Sequence, residues 1–314
     1  MRKIGEILKG DVMTKRMLER VRLTEEVRAA RDEARQELAF TSLPFVLCGM
    51  PVKRPPPEVT EHVRHNGNYF LKILCDSKEG LPFGQDRLLP IWIATQAVRR
   101  KSRTIDFSCP AELMSMFRLP QDGPHYKRLL ESFRRVFHSH IVFGTDRELV
   151  KASKIGLWLD SYRYFDSVHM YAAEEKKDFD DLKLPGRIVI SETFAKELER
   201  CPVPLDLAAV RILAPAPAQL DFFVWLCHRS GYVKESVIPL HGPRGLSAQL
   251  GASENLADRN FRVLIKQCLA VVKDMYPDCP ARLTPDGKGL VIAPWRPVRG
   301  RQLSLMDAYG KPIA

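Results

Sequence analysis

The chain has 314 residues, 45% of them hydrophobic and 28% charged, a composition typical of soluble globular proteins with packed cores. This composition excludes a mostly disordered chain, a collagen-like chain and a disulfide scaffold, and the length suggests two domains. Lys and Arg number 49 against 38 Asp and Glu, so the net charge of +11 favours a polyanionic partner.

The cysteines and the apolar runs indicate the cellular compartment. Seven cysteines are scattered along the chain and none belongs to a Cys-x-x-Cys pair, so we expect reduced, mostly buried thiols and no metal or cofactor. The longest apolar run, residues 88–98, is interrupted by a proline and polar residues, which argues against a membrane span. Charges interrupt the first eleven residues, so no signal peptide is expected. We therefore predict a cytoplasmic protein without a membrane partner.

The first segment, residues 1–60, is predicted to be a helical arm followed by a linker. Apolar residues recur at helical spacing up to about residue 39, with charges of both signs between them. Such an arm packs on the body, pairs with a second copy or is solvated. Residues 51–57 are Pro-Val-Lys-Arg-Pro-Pro-Pro, which cannot continue a helix and is typical of a linker.

A first unit, residues 61–184, is predicted to follow the order helix, strand, helix, helix, strand, strand. Pro110 suits the first turn of its second helix, and Asp122-Gly123-Pro124 indicates a turn. Hydrophobic periodicity places the six elements at 88–100, 103–107, 110–117, 125–138, 141–145 and 155–165. A charged stretch at 174–183 predicts a loop.

A second unit is predicted over residues 185–294, and a flexible C-terminal tail over 295–314. Ser191 and Asp206 are suited to capping helices after a strand at 187–190. The remaining elements again follow the order helix, strand, helix, helix, strand, strand, at 219–228, 236–240, 243–250, 256–276, 281–284 and 289–293.

The two units resemble each other. An offset of 133 residues aligns Trp92 with Trp225 and Pro110 with Pro243, within the same order of elements. That order is typical of the winged helix, in which the third helix enters the major groove and the final hairpin contacts the DNA backbone. We therefore predict an α+β fold of two tandem winged-helix domains. An α+β enzyme with a coincidental repeat is the alternative.

The long helix of the second unit has a cationic face. Four cations and no anion lie opposite its apolar stripe, with Asn260 on the flank. Because Arg recognises guanine, Asn recognises adenine and cations bind phosphates, base and phosphate contacts are predicted for Arg259, Asn260, Arg262 and Lys266. Phosphate contacts alone are predicted for Arg244 and Lys273. A merely solvated cationic face is the alternative.

The long helix of the first unit is a second candidate for DNA contact. Its cations point away from the core, but Glu131 interrupts them, so contact between two copies of the chain is an alternative. The candidate DNA-binding residues on this helix are Lys127, Arg128, Arg134 and Arg135.

The chain lacks the common catalytic motifs. It has no P-loop, no Gly-x-Ser-x-Gly and no His-Glu-x-x-His, so we predict no enzyme and no catalytic residue. One constellation supports a rival hypothesis. His138-Ser139-His140, with Tyr162, Tyr164 and Tyr171 downstream, is similar to the metal site and tyrosine nucleophile of rolling-circle nickases.

Several spaced blocks between about residues 80 and 293 resemble the plasmid RepA-type replication initiators, which are theta-type, iteron-binding proteins. The blocks are Leu81-Pro82-Phe83-Gly84, residues 90–99, residues 122–129, residues 202–206, residues 220–226 and residues 258–262. The resemblance implies a bacterial protein that binds iterons, repeated sequences at a plasmid origin, and helps to open the duplex for the host helicase-loading machinery. It also implies control of plasmid copy number, a possible homodimer, and main iteron contacts from the C-terminal module. A winged-helix transcriptional repressor is a further alternative.

A short motif near the C-terminus suggests one host partner. Gln302, Leu303, Leu305 and Met306 lie in Gln-Leu-Ser-Leu-Met, which resembles the bacterial sliding-clamp-binding pentapeptide with Met in place of the final Phe. Such a peptide inserts its apolar side chains into a pocket. The alternative is an ordinary strand, or a tail that packs on the body.

Overall fold

The computed structural model describes residues 15–67, 69–146, 159–170, 185–242, 245–250 and 257–299, which form an α+β fold. The α-helices are Lys15–Asp32 (α1), Leu43–Leu47 (α2), Leu88–Arg100 (α3), Ala111–Phe117 (α4), Gly123–His138 (α5), Glu192–Arg200 (α6), Leu207–Leu213 (α7), Pro217–Tyr232 (α8), Leu246–Gln249 (α9) and Asp258–Met275 (α10). A 3-10 helix spans Gly84–Arg87.

The strands in the described ranges form four antiparallel sheets. Their bounds are Leu38–Ser42 (β1), Glu61–Asn66 (β2), Tyr69–Leu74 (β3), Thr104–Phe107 (β4), His140–Asp146 (β5), Leu159–Arg163 (β6), Phe165–Met170 (β7), Gly186–Ile190 (β8), Pro202–Asp206 (β9), Ser236–Pro239 (β10), Arg282–Leu283 (β11) and Gly289–Ile292 (β12). The strand orders are β1-β9, β2-β3-β5-β6, β4-β8-β7 and β10-β12-β11.

The second unit contains the predicted order of elements. Helix α8, strand β10, helices α9 and α10 and strands β11 and β12 follow one another, and β12 pairs with both other strands. Trp225 of α8 is buried and donates its indole N–H to Gln249 Oε1 at 2.7 Å, which ties α8 to the end of α9. Trp92, its counterpart on α3, is also buried and meets Phe107 edge-on.

The first unit differs from its prediction after α5. Strands β5 and β6 do not form the final hairpin of the unit; they join β2 and β3 in a separate sheet. The strand that completes the sheet begun by β4 is β8, which lies beyond the predicted boundary at 184/185. A Cβ on Gly186 would lie 2.2 Å from the Phe107 ring, so glycine is required where β8 crosses β4. The predicted boundary therefore divides one sheet and needs correction.

The predicted arm is part of the body over its described residues. Val27 of α1 is buried, and α1 packs against α7 and α10. The buried Arg31 donates to both Asp278 carboxylate oxygens at 2.6 and 2.7 Å, and Arg28 Nε donates to the Asp274 carbonyl at 2.8 Å. Strand β1 then pairs with β9. Residues 15–42 therefore pack on the body, which is one of the three arrangements considered for the arm.

A buried polar network joins the two units. Arg87 forms an ion pair with Asp221 at the start of α8 and donates to the carbonyls of Gly84, Met50 and Pro51 at 2.7, 3.2 and 2.9 Å. Burial raises the pKa of Asp221, and the neighbouring Arg87 opposes that rise. A buried charge is costly without a partner, so each of these two charges is stabilised by a residue of the other unit.

The thiols are as predicted. All seven cysteines are free, and five of them are buried: Cys48, Cys201, Cys227, Cys268 and Cys279. Burial raises the pKa of Cys48 to about 11, so this thiol is protonated and unreactive at neutral pH. In the part of the chain that the structure describes, no helix has the length and apolar character of a membrane span.

Candidate nucleic-acid interface

Helix α10 presents two unlike faces. Phe261, Ile265 and Cys268 are buried, and with Val272 and Met275 they form the apolar stripe predicted from the sequence. Asp258 in the first turn and Lys273 in the last turn both suit the helix dipole. The stripe anchors the helix on the second unit, so the opposite face is directed to solvent.

The predicted contact residues of α10 lie on the solvent side. Every one of them is exposed: Arg259, Asn260, Arg262, Lys266 and Lys273. None of the four cations forms an ion pair with another residue in the described ranges, so their charge is not neutralised there. Such a row of free cations on one helix attracts an extended polyanion.

The turn between β11 and β12 lies beside this row. A Cβ on Gly287 would lie 3.3 Å from Cδ and Nε of Arg262, so the Arg262 side chain runs along the turn. Gly287 has a φ of 65°, which favours glycine. The Asp286 carboxylate accepts from the Lys288 amide at 3.0 Å and from the Thr284 hydroxyl, and these hydrogen bonds lower the pKa of Asp286. The turn is therefore well defined next to the helix.

Lys288 is a candidate residue that the sequence prediction missed. It is exposed at the end of the turn, and it follows Gly287, the residue that lies next to Arg262. The signal was present, because the turn had been predicted from Pro285-Asp286-Gly287-Lys288. The winged-helix prediction placed this hairpin on the DNA backbone, but it named no residue of the turn.

The first unit contributes fewer free cations than predicted. Lys127, Arg128 and Arg134 of α5 are exposed. Arg135 instead forms two hydrogen bonds to the buried Asp86 carboxylate, at 2.6 and 2.9 Å, and lies over the Phe83 ring. Its guanidinium is therefore held inside the protein by Asp86 and is not available for the predicted DNA contact. The helical pattern alone does not separate an exposed cation from one with a buried partner.

Two predicted groups fall outside the described residues. Arg244 is one of them, and the pentapeptide Gln302-Leu303-Ser304-Leu305-Met306 is the other. Their assignments remain predictions from the sequence.

The nickase hypothesis finds no support in the described part of its constellation. Tyr164 is completely buried, and burial raises its pKa well above the usual value, whereas a nucleophilic tyrosine must reach the substrate. Tyr162 donates its hydroxyl to Glu197. His138 Nδ1 lies 2.9 Å from the Arg134 carbonyl, and no cluster of three or more metal-ligating side chains occurs among the described residues. Tyr171 is outside those residues.

Comparison with known proteins gives similarity in structure only. No family model and no curated protein sequence matches the chain. A selenomethionine derivative of domains 2 and 3 of RctB matches with a TM-score of 0.49 and 12% identity, covering 73% of this chain and 83% of that one. The RctB fragment 155–483, domains 2-3, matches with a TM-score of 0.47 and 12% identity, covering 79% of this chain and 94% of the other. These matches assign the chain to no family.

Proposed function

We propose that this protein is a non-enzymatic replication initiator that binds repeated sequences in origin DNA through its second unit, used as a winged helix. The observation that carries the proposal is the row of free cations on α10 beside the β11–β12 turn. The order of α10, the strands β10-β12-β11 and the turn supports the proposal, because a winged helix places one helix in the major groove and its hairpin on the backbone.

The dimensions of α10 suit a major groove. Its 18 residues give a length of about 27 Å, and a groove about 12 Å wide admits one helix. Arg259 and Arg262 are then assigned to base edges or phosphates, and Asn260 to a base at the flank. Lys266 and Lys273 lie further along the helix and neutralise phosphates, and Lys288 of the turn does the same nearby.

The first unit supplies a second, weaker contact surface. Its sheet order β4-β8-β7 parallels the order β10-β12-β11, with α5 in the place of α10. The exposed cations of α5 are Lys127, Arg128 and Arg134, and we assign them to phosphates of adjoining duplex. Contact between two copies of the chain is the alternative use of this helix.

Further parts of the proposal rest on the sequence resemblance to plasmid initiators. We propose that the protein acts in the bacterial cytoplasm, that it recruits helicase-loading proteins and the sliding clamp, and that it has a homodimeric form.

The proposal is tested by footprinting the purified protein on DNA flanking its own gene. Both strands are end-labelled and Mg²⁺ is present. Regularly spaced protection at direct repeats, with both strands intact, is the expected result. Protection at one isolated site would favour a transcriptional repressor. A discrete nick with protein covalently attached would overturn the proposal in favour of a nickase.

A further inference from the structure

An apolar side chain lies exposed beside the cationic face of α10. Val263 is 48% exposed, although the helix has a complete buried stripe without it. Val263 lies outside the buried stripe, and its branched side chain is less favourable in a helix than alanine. Its place next to the cations makes it available to a ligand that they bind.

Val263 borders the row of cations on one side. At about 100° per residue, Val263 lies about 40° around the helix from Arg259 and about 60° from Lys266. It is one turn from each of them, and all three side chains point to solvent. The neighbouring Arg262 lies close to the β11–β12 turn, whereas α1 contacts the other end of the helix through the Asp274 carbonyl. A ligand held by Arg259 and Lys266 would therefore lie against Val263.

The chemistry of the duplex restricts what Val263 meets there. Contact with the charged and polar atoms of phosphates and sugars gives an isopropyl group little binding energy. Among the base edges in the major groove, the one apolar group is the C5-methyl of thymine. Burial of that methyl against a valine is favourable, whereas the same valine would desolvate the amino group of a cytosine.

We propose that Val263 contacts the C5-methyl group of a thymine in the bound sequence and thereby helps to determine sequence specificity. This inference rests on the proposed function, since it assumes that α10 lies in a major groove. It adds a specificity that cations alone do not supply, because phosphate contacts are independent of sequence.

The test replaces single thymines of the footprinted duplex with uracil, which pairs identically and lacks only the methyl group. Dissociation constants are measured by fluorescence anisotropy for the full chain. We expect one position at which uracil weakens wild-type binding by about fourfold, the effect of losing one buried methyl group. Full affinity at every uracil position would overturn the proposal.

Two variants connect that effect with Val263. In Val263→Ala the penalty at the sensitive position is expected to disappear, because the methyl has lost its contact. Val21→Ala on α1 is the matched control, since Val21 is 46% exposed on a helix outside the cationic face. In this variant the uracil substitution is expected to weaken binding by about fourfold, as in the wild type. Persistence of the full penalty in Val263→Ala would overturn the contact. Failure to bind any duplex specifically would overturn the proposed function itself, and the inference with it.

Discussion

Arg262 combines a position on the exposed face of α10 with contact to the β11–β12 turn. A Cβ on Gly287 would lie 3.3 Å from the Arg262 side chain, so the turn restricts the space open to that side chain before any ligand binds. An arginine held in this way loses less entropy on binding than a free surface arginine. We therefore expect Arg262 to contribute more than the other cations of the row.

Substitution Arg262→Ala is expected to weaken binding to the footprinted sequence by about 1–3 kcal/mol. Anisotropy titrations on the specific duplex and on a random duplex measure the effect. Arg282→Ala is the matched control, because Arg282 is an exposed cation of the same unit that already pairs with Glu235 at 2.9 Å. An Arg262→Ala protein with unchanged affinity for both duplexes would contradict the assignment.

Arg135 illustrates the opposite role for a cation. Its guanidinium is 15% exposed and pairs with Asp86, whose side chain is 4% exposed. Arg135→Ala is expected to lower the free energy of unfolding by about 3–5 kcal/mol, because Asp86 would remain buried without its partner. Urea unfolding followed by circular dichroism measures the loss.

The neighbour Arg134 provides the control for this prediction. Arg134 is exposed, so Arg134→Ala is expected to change stability by no more than about 0.5 kcal/mol. Coincident unfolding midpoints for the two variants would argue against a stabilising role of the Arg135–Asp86 pair.

At the scale of elements, one ion pair contributes a pH-dependent part of the docking of α1. The hydrogen bonds from Arg31 hold the pKa of Asp278 below its usual value. A carboxyl group with a lowered folded-state pKa stabilises the fold above its unfolded pKa of about 3.9, and that contribution is lost as the pH falls. The contact between α1 and the segment after α10 is therefore expected to weaken in acid.

Amide hydrogen exchange of α1 at pH 7 and below about pH 4 tests this dependence. After correction for intrinsic rates, lowering the pH is expected to accelerate exchange in α1 more than exchange in α5. In Asp278→Asn the acid dependence specific to α1 is expected to vanish. The same acid dependence in Asp278→Asn as in the wild type would show that another group controls docking.

Prediction from the sequence was most accurate for elements whose signals lie within one continuous stretch of chain. The long amphipathic helices were expected at 125–138 and 256–276 and are observed at Gly123–His138 and Asp258–Met275. Their apolar stripes and the caps or turns beside them lie within one stretch of chain. The cationic face of α10 follows from the same periodicity, so it was also predictable.

The missed elements depend on contacts between distant residues. Strands β2 and β3 were not predicted, partly because His62 and Arg64 point inward and break the usual alternation of apolar and polar residues. Arg64 is buried because it donates to the Leu250 carbonyl, far along the chain. The pairing of β8 with β4, and the ion pair of Arg135, likewise join segments that sequence spacing does not connect.

At the scale of the whole molecule, the sequence and the fold assign binding to different parts of the chain. The main DNA contacts that we propose lie within the second unit, and the pentapeptide at residues 302–306 lies outside it. The two activities are therefore expected to separate. Deletion of residues 302–306 is expected to abolish retention on immobilised sliding clamp and to leave the footprint unchanged.

A variant with the same five residues in scrambled order controls for composition and length in the clamp experiment. It is expected to behave as the deletion does, because the contacts depend on the order of the glutamine and the apolar side chains. Equal retention of the wild-type, deleted and scrambled proteins on the clamp would reject the motif.

The ion pair between Arg87 and Asp221 has a geometric consequence for any bound duplex. Because buried charges rather than a linker join the two units, the distance and angle between α5 and α10 are set before binding. DNA turns once in about 10.5 base pairs, so two such surfaces meet the same side of a duplex only at certain separations. Under the proposed function, binding is therefore expected to depend on the helical phase of the two contact regions of the DNA: five base pairs added between them would turn one region away from the protein.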